Sequence, residues 1–148
     1  MIQRILVGYD DGALSQKALE TAIEMARNNK AEIFIVSVLD IPLYISSPDM
    51  LPPDNISITK FFYDNTRLYF EKLQEQAAIR VKEEGLAVTT KVLEGNPGKT
   101  LVWYAEEIKA DLIAIGSNNR GVLDRLFLGS VSNYVIHHAK CMVLVTKN

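Results

Sequence analysis

Short segments rich in β-branched residues alternate along the chain with longer segments in which apolar residues recur every three or four positions. The short segments are predicted strands, in chain order "IQRILVG", "EIFIVSV", "LAVTTKVL", "DLIAIGS" and "CMVLVTK". Most of them are apolar nearly throughout, as strands are when helices cover both faces of a sheet. The alternation predicts the order βαβαβαβαβ, which is a parallel sheet with right-handed helical crossovers.

The longer segments are four predicted helices, because their apolar residues form stripes at helical spacing. Gly85 follows the second stripe and is well placed to end that helix as its C′ residue. The stripes consist of Ala18, Leu19, Ala22, Ile23 and Ala26, then Phe70, Leu73, Ala77 and Val81, then Leu101, Ala105 and Ile108, and finally Val131 and Val135.

One segment, "DIPLYISSPDMLPPDNIS" at residues 40–57, shows no period and contains four of the five prolines. It predicts a long loop between the second strand and the second helix. Loops of this length in a compact domain tend to be functional lids or partner surfaces, or else to be mobile.

Length and composition favour one globular domain over residues 1–148, with 48% apolar and 23% charged residues. The net charge of −2 argues against general binders of nucleic acid or of membrane surfaces, which usually carry a basic excess. Cys141 is the one cysteine, so an intramolecular disulfide is excluded. No segment has the apolar length of a signal peptide or a membrane span. We therefore expect a cytoplasmic protein.

The segment "VLEGNPGKTL", residues 92–101, contains the end of the P-loop pattern G-x-x-x-x-G-K-[ST]. The first glycine of that pattern is replaced by Leu93. Asn96 is a good N-cap and Pro97 a good first helical residue, so "GKT" is expected inside the first turn of the third helix. The segment therefore predicts a strand-to-helix turn and not a phosphate cradle.

Ligands of open α/β sheets bind beyond the carboxyl ends of the strands, where the strand order reverses. The most unusual segment at such an end is "GSNNRGVLDRLFLGSVSNYV", which follows the fourth strand. Its first part, residues 116–121, is small and polar and is able to expose backbone N–H groups. Gly129 and Ser130 then open the fourth helix, whose free N–H groups and dipole favour an anion. The segment predicts a phosphate site; a plain loop with a serine N-cap is the alternative.

These residues resemble the motif G-x-x-G-x9-G-[ST] of the universal stress protein family, in its ATP-binding branch. The motif positions are Gly116, Asn119, Gly129 and Ser130, followed by "VS" as in the family's "GSVS". The resemblance covers essentially the whole chain through "ILVGYDDGALSQKAL", "SVLD", "EGNP", "ADLIAIGS" and "HHAKCMVLVTK". Asn119 replaces the second glycine of the motif. Asparagine tolerates the left-handed conformation, but its side chain is able to crowd a phosphate.

The resemblance implies a doubly wound, Rossmann-like α/β fold with five parallel strands in the order 3-2-1-4-5 and helices on both faces. It implies a stress-response regulator that binds ATP, or AMP or ADP, and signals through its conformation, with slow ATP hydrolysis at most. Mg²⁺ would arrive with ATP, held mainly by the phosphates and by Asp10. It also implies a homodimer in which the fifth strands, residues 141–147, pair antiparallel and cover an apolar edge.

The same resemblance implies which residues contact the nucleotide. Asp10 would accept a hydrogen bond from the adenosine end, and Val38 would pack on the adenine. Gly8 and Tyr9 would bring backbone near the base. Independently of the resemblance, Arg120 lies in the loop rich in glycine and asparagine and is the best candidate among the nearby cations to neutralise phosphate charge. The full predicted set is Gly8, Tyr9, Asp10, Val38, Gly116, Ser117, Asn119, Arg120, Gly129, Ser130, Val131 and Ser132.

Structural explanations stay open for several of these residues. Asp10 also suits a helix N-terminus, where the dipole stabilises a carboxylate. Val38 in a strand is equally a core residue, and Ser132 in a first helical turn needs no ligand. Lys99 and Arg125 are further cations near the predicted phosphate site, and surface roles explain them equally well.

Other chemistry is not supported by the sequence. His137 and His138 are adjacent on a helix and point about 100° apart, so they do not share a metal ion. Cys141 is expected to be an inert thiol, and no nucleophile with a base and an orienting acid is recognisable. Two rival functions remain: an interaction dimer without nucleotide, which Asn119 favours, and a nucleotidyl-transfer enzyme. The latter is expected to have an H-x-G-H-like element, whereas this chain has "GYDDGALS".

Overall fold

A computed structural model describes residues 1–40, 53–117 and 128–148, with only the backbone described for residues 53–59. In these ranges strands and helices alternate in the predicted order. The elements are β1 (Arg4–Gly8), α1 (Ala13–Asn29), β2 (Glu32–Leu39), α2 (Pro53–Glu83), β3 (Val88–Glu94), α3 (Pro97–Glu107), β4 (Leu112–Gly116), α4 (Ser130–His138) and β5 (Met142–Thr146).

The five strands form one parallel sheet in the order β3-β2-β1-β4-β5, which confirms the predicted topology. β1 lies at the centre, between β2 and β4. The chain therefore reverses its direction of winding between β1 and β4, and the carboxyl ends of these strands define a switch point at which α/β proteins bind ligands.

Apolar residues on the two faces of the sheet form two separate core clusters. Ile5 and Val7 of β1 face the cluster that contains α1 and the C-terminal half of α2. Leu6, between them, faces the cluster that contains α3 and α4. All three side chains are fully buried, and each such burial stabilises the fold by about 1.5–3 kcal/mol. The alternation follows from the two-residue period of a strand.

The start of α3 confirms that the "GKT" segment is helical. The Asn96 side chain caps the helix by accepting the Lys99 N–H at 3.1 Å, and Pro97 stands at the first position. Gly95, just before the cap, has φ +136°, which favours glycine. A Cβ on Gly98 would lie 3.0 Å from the Tyr134 ring, so this glycine serves the packing of α3 on α4.

The predicted loop at residues 40–57 extends too far. α2 begins at Pro53, so residues 53–57 are helical, and residues 41–52 lie outside the described parts of the chain. Proline at the first helical position removes an N–H group that has no partner within the helix. Because of its prolines, this segment was assigned to a loop, and the predicted start of α2 is therefore too late in the chain. Gly85 was correctly predicted to end α2, since it adopts φ +73° just beyond the last helical residue.

The opposite end of the sheet, at the amino ends of the strands, is held by one carboxylate. Asp111 Oδ2 accepts the N–H groups of Gln3 at 2.8 Å and Arg4 at 3.0 Å. These two hydrogen bonds hold the pKa of Asp111 below its ordinary value. This carboxylate is remote from the switch point.

Among the described helices, none has both the length and the apolar character needed to cross a membrane.

A lysine ends α1 in a conformation that costs free energy. Lys30 has φ 57°, and its backbone N–H donates to the Ala26 carbonyl. Because a Cβ is strained in the left-handed region, we expect Lys30→Gly to raise the free energy of unfolding by about 0.5 kcal/mol, after the entropy of glycine is subtracted. Lys30→Ala, which keeps the Cβ and its strain and removes the rest of the side chain, should not do so. Urea denaturation of the three proteins measures the difference.

Candidate functional site

A cleft opens at the carboxyl ends of β1, β2 and β4, at the predicted switch point. Its volume is about 650 Å³, which lies within the range of small-molecule sites. The acidic residues that line it are Asp10, Asp11 and Asp40. The apolar side chains that line it are Val36, Val38, Phe70, Leu101, Ile115 and Val131. A lining that combines apolar side chains with a few polar groups suits a flat heterocycle that carries a polar substituent.

Half of the predicted site residues line this cleft. They are Gly8, Tyr9, Asp10, Val38, Gly116 and Val131. Ser117, Gly129, Ser130 and Ser132 are described but lie outside the lining. Asn119 and Arg120, together with Arg125, fall outside the described residues. Lys99 is exposed on α3 and does not line the cleft.

The Tyr9–Asp10 peptide, just beyond β1, is held by side chains on both sides. Ser37 Oγ donates to the Tyr9 carbonyl at 2.7 Å. The Asp10 N–H donates to Ser15 Oγ at 2.8 Å, and Ser15 lies in the first turn of α1. The Tyr9 N–H continues the sheet by donating to the Val36 carbonyl at 2.8 Å. Backbone at the cleft floor is therefore fixed by interactions from two neighbouring elements.

Asp10 combines a structural contact with a place in the cleft. Its Oδ1 accepts the Gly12 N–H at 2.7 Å, forming an Asx turn just before α1. Gly12 is the N-cap of α1 and has no side chain of its own to cap the helix. The carboxylate thus lies at the positive end of the helix dipole. The helix-terminus explanation and the ligand explanation describe the same side chain and do not exclude each other.

α2 forms one wall of the cleft. Phe70 contributes to the lining, and the neighbouring Tyr69 hydroxyl donates to Asp11 Oδ2 at 3.1 Å. This hydrogen bond raises the pKa of the Tyr69 phenol. For Tyr9, burial is the main cause that raises the pKa, with smaller contributions from the charges of Asp10 and Glu20. Both phenols are therefore neutral hydrogen-bonding groups near pH 7.

Two glycines of the cleft are required by packing. A Cβ on Gly8 would lie 2.8 Å from Ile115 Cγ2 and 3.2 Å from Leu101. A Cβ on Gly116 would lie 2.8 Å from the Leu14 Cβ and 2.9 Å from its backbone carbon. Small size at these positions lets α3 approach the sheet from one face and α1 from the other.

The start of α4 is ordered by its own backbone and by Ser132. Gly129 is the N-cap, with φ −66° and ψ 162° and without a side-chain cap. Ser132 is buried and its Oγ donates to the Gly129 carbonyl at 3.0 Å. That contact supports the structural explanation of Ser132. Ser130 is exposed at the first helical position, and the Ser117 N–H extends the sheet to the Thr146 carbonyl at 2.9 Å.

Groups suited to metal binding or covalent chemistry are scarce in the described chain. It contains no group of three or more His, Cys, Asp or Glu side chains placed to hold a metal ion. His137 and His138 each direct Nδ1 to a backbone carbonyl one turn earlier. Burial raises the pKa of the Cys141 thiol, which disfavours its reactive thiolate form.

Sequence reasoning missed three polar residues around the cleft: Ser15, Ser37 and Gln74. All three are buried. Ser37 is the one polar residue within the apolar segment "IFIVSVL", and Gln74 lies between Phe70 and Ala77 on the apolar stripe of α2. A polar residue on a buried face needs a hydrogen-bond partner. A serine or glutamine at an otherwise apolar position was therefore the signal that could have identified these residues.

Comparison with known proteins agrees with this architecture. The sequence model that describes the universal stress protein family matches residues 1–147 of this chain. Universal stress protein MJ0531 of Methanocaldococcus jannaschii is 31% identical over 147 residues, which cover 99% of this chain and 83% of the relative. The chain belongs to the universal stress protein family. The family predicted from the sequence is therefore confirmed over the whole chain.

Solved universal stress proteins share the fold. UspA from Lactobacillus plantarum is 24% identical and superposes with a TM-score of 0.85, covering 98% of this chain and 97% of UspA. A universal stress protein solved in complex with cAMP is 25% identical, with a TM-score of 0.68 and coverages of 98% and 96%. Another, from Archaeoglobus fulgidus in complex with dAMP, is 19% identical, with a TM-score of 0.67 and coverages of 99% and 98%. Some members of the family thus bind adenine nucleotides.

Proposed function

We propose that this universal stress protein binds ATP or another adenine nucleotide in the cleft and signals through the conformation that the nucleotide stabilises. The observation that carries the proposal is the position of Asp10. At the switch point between β1 and β4, it lines a cleft together with several apolar side chains. Adenine nucleotides combine a flat base with hydrogen-bonding amine and ribose groups, which is the chemistry that such a cleft accommodates.

In the proposed complex, the adenosine end contacts Asp10 and the base packs against Val38. The phosphates extend toward the start of α4, where Gly129 and Ser130 present backbone N–H groups at the positive end of the helix. The motif residues Asn119 and Arg120 complete the phosphate site in this proposal. Support for the ligand class comes from relatives that were solved with cAMP and with dAMP.

Binding without rapid turnover is the second part of the proposal. In the described part of the cleft, the acidic groups are Asp10, Asp11 and Asp40, and no histidine lines it. Asp10 and Asp11 both accept hydrogen bonds from neighbouring groups. Mg²⁺ that arrives with ATP would be held mainly by phosphate oxygens. We therefore propose slow ATP hydrolysis at most.

Nucleotide extraction and thermal shift test this function. The purified protein is denatured and any co-purified nucleotide is identified by mass spectrometry. Unfolding is then followed with millimolar ATP, ADP, AMP, cAMP and GTP. We expect adenine nucleotides to raise the Tm, because a ligand at 100 times its Kd stabilises the folded state by about 2.7 kcal/mol, and GTP to have little effect. A Tm that no adenine nucleotide changes would overturn the proposal.

The alternative function is an interaction dimer that binds no nucleotide, and Asn119 in the place of a motif glycine favours it. Two substitutions separate the functions. If Asn119 only replaces a turn glycine, Asn119→Gly binds ATP equally or more tightly. Gly129→Val should abolish binding, because its side chain blocks the approach of a phosphate to the helix start. Normal ATP binding by Gly129→Val would show that the phosphate site is misplaced.

We also propose a homodimer that forms by backbone pairing of β5. Removing one outward N–H group of this strand tests the pairing. Met142 donates to Asp111 and Thr146 accepts from Ser117. Alternate residues of a strand bond the same neighbour, so the N–H and C=O groups of Val143 point away from β4. Val143→Pro removes this outward N–H and should give a monomer in multi-angle light scattering. Val143→Ala keeps the N–H and should remain dimeric; a dimeric Val143→Pro variant would contradict pairing through β5.

A further inference from the structure

Two buried polar side chains connect α2 to the floor of the cleft. Gln74 of α2 is 3% exposed and Ser37 of β2 is 2% exposed. We propose that Gln74 and Ser37 are positioning residues, which fix the orientation of the Tyr9–Asp10 peptide and thereby increase nucleotide affinity. This inference rests on the proposed function of the cleft.

The hydrogen bonds run in one direction, from α2 to the cleft. Gln74 Nε2 donates to the Lys91 carbonyl at 2.7 Å and to Ser37 Oγ at 2.9 Å. A carbonyl oxygen only accepts, so the amide nitrogen of Gln74 must face Lys91 and Ser37. The Ser37 hydroxyl therefore accepts from Gln74 and uses its own hydrogen to donate to the Tyr9 carbonyl at 2.7 Å.

The other side of the same peptide is held by Ser15. Its Oγ accepts the Asp10 N–H at 2.8 Å. Rotation of the Tyr9–Asp10 peptide plane would break both the Ser37 and the Ser15 hydrogen bond. Asp10 lines the cleft, so the orientation of this peptide sets the direction in which its side chain leaves the backbone there.

Burial makes the Ser37 contact effective. A hydrogen bond is stronger where the local dielectric is low, and a buried carbonyl that loses its partner is costly. Without the Ser37 hydroxyl, we expect the Tyr9–Asp10 peptide to sample orientations that do not bind the nucleotide. The apparent Kd rises in proportion as the population of the binding orientation falls.

The experiment measures nucleotide affinity and the state of one peptide group. Ser37→Ala, Gln74→Met and the double variant are compared with the wild type by ATP titration calorimetry and by the Asp10 amide resonance in ligand-free 15N spectra. We expect Ser37→Ala to bind ATP about fivefold more weakly and to shift the Asp10 resonance. Gln74→Met should have a smaller effect on both. The double variant should bind no more weakly than Ser37→Ala, because Gln74 acts through Ser37.

Two further variants distinguish a loss of nucleotide affinity from a general loss of stability. Asp111→Ala, at the opposite end of the sheet, should lower the Tm and leave the Kd for ATP unchanged. Ser37→Cys keeps a weak donor and should bind with intermediate affinity. It also supplies a second Ser37 variant in case Ser37→Ala folds poorly.

Each contrary outcome identifies what has failed. If the wild type binds ATP and Ser37→Ala keeps both the wild-type Kd and the wild-type Asp10 resonance, the positioning role is overturned and the proposed function stands. Multiplicative losses in the double variant would overturn the action of Gln74 through Ser37. If the wild type binds neither ATP nor AMP, the proposed function and the positioning role are both overturned.

Discussion

A Gly116→Val variant is expected to lose about 3 kcal/mol or more of its free energy of unfolding. Gly116 ends β4, and a Cβ there would lie 2.8 Å from Leu14 Cβ, 2.9 Å from the Leu14 backbone carbon and 3.0 Å from the Ser15 nitrogen. Two of these three atoms are backbone, so a change of rotamer does not relieve the contact. α1 would have to move away from the sheet.

The same movement should weaken nucleotide binding. Ser15 accepts the Asp10 N–H, so a displaced α1 releases one side of the Tyr9–Asp10 peptide. Urea denaturation measures the first effect and ATP titration the second, at a temperature where the variant is still folded.

Gly85→Ala is the matched control for the Gly116 substitution. Gly85 has φ +73°, but an added Cβ would have nothing within 4 Å. We expect this variant to lose only the cost of a left-handed non-glycine residue, about 1 kcal/mol, and to bind nucleotide normally. Equal stability losses at the two positions would show that α1 does not pack on β4 as closely as the structure indicates.

The strands, the helices and their alternation could be predicted because the relevant signals are local, whereas the strand order 3-2-1-4-5 followed from the family resemblance. Five apolar segments and four apolar stripes follow directly from the periods of strands and helices. The start of α2 could not be predicted, because Pro53 is compatible with a loop and with the first turn of a helix. Only the three-dimensional context decides between those two states.

The candidate site likewise has features that could be predicted from the sequence and features that could not. Residues at the carboxyl ends of strands, such as Asp10 and Val38, could be predicted from topology and from the family resemblance. The Gln74–Ser37 contact joins residues 37 positions apart, and its direction depends on which acceptors surround the amide. Nor does the motif reveal that Gly116 is small because α1 packs on it. Such facts require the packed structure.

The second large effect is expected at Asp10, where Asp10→Ala should weaken ATP binding roughly 10- to 100-fold. This range corresponds to the loss of a hydrogen bond to a charged group, about 1.5–3 kcal/mol. The substitution also removes the acceptor of the Gly12 N–H at 2.7 Å, which should cost about 1 kcal/mol of stability, as for other residues that cap helices. Calorimetric ATP titration and urea denaturation give the two values separately.

Asp10→Asn separates the role of Asp10 in the turn from its role toward the nucleotide. Its amide oxygen is able to accept the Gly12 N–H, so the Asx turn and the stability should be preserved. The second carboxylate oxygen becomes an NH₂ group, which donates where the adenosine end requires an acceptor. We therefore expect Asp10→Asn to have wild-type stability and about tenfold weaker ATP binding. If both variants bind ATP as tightly as the wild type while Asp10→Ala loses stability, Asp10 serves the turn alone and the adenosine end binds elsewhere in the cleft.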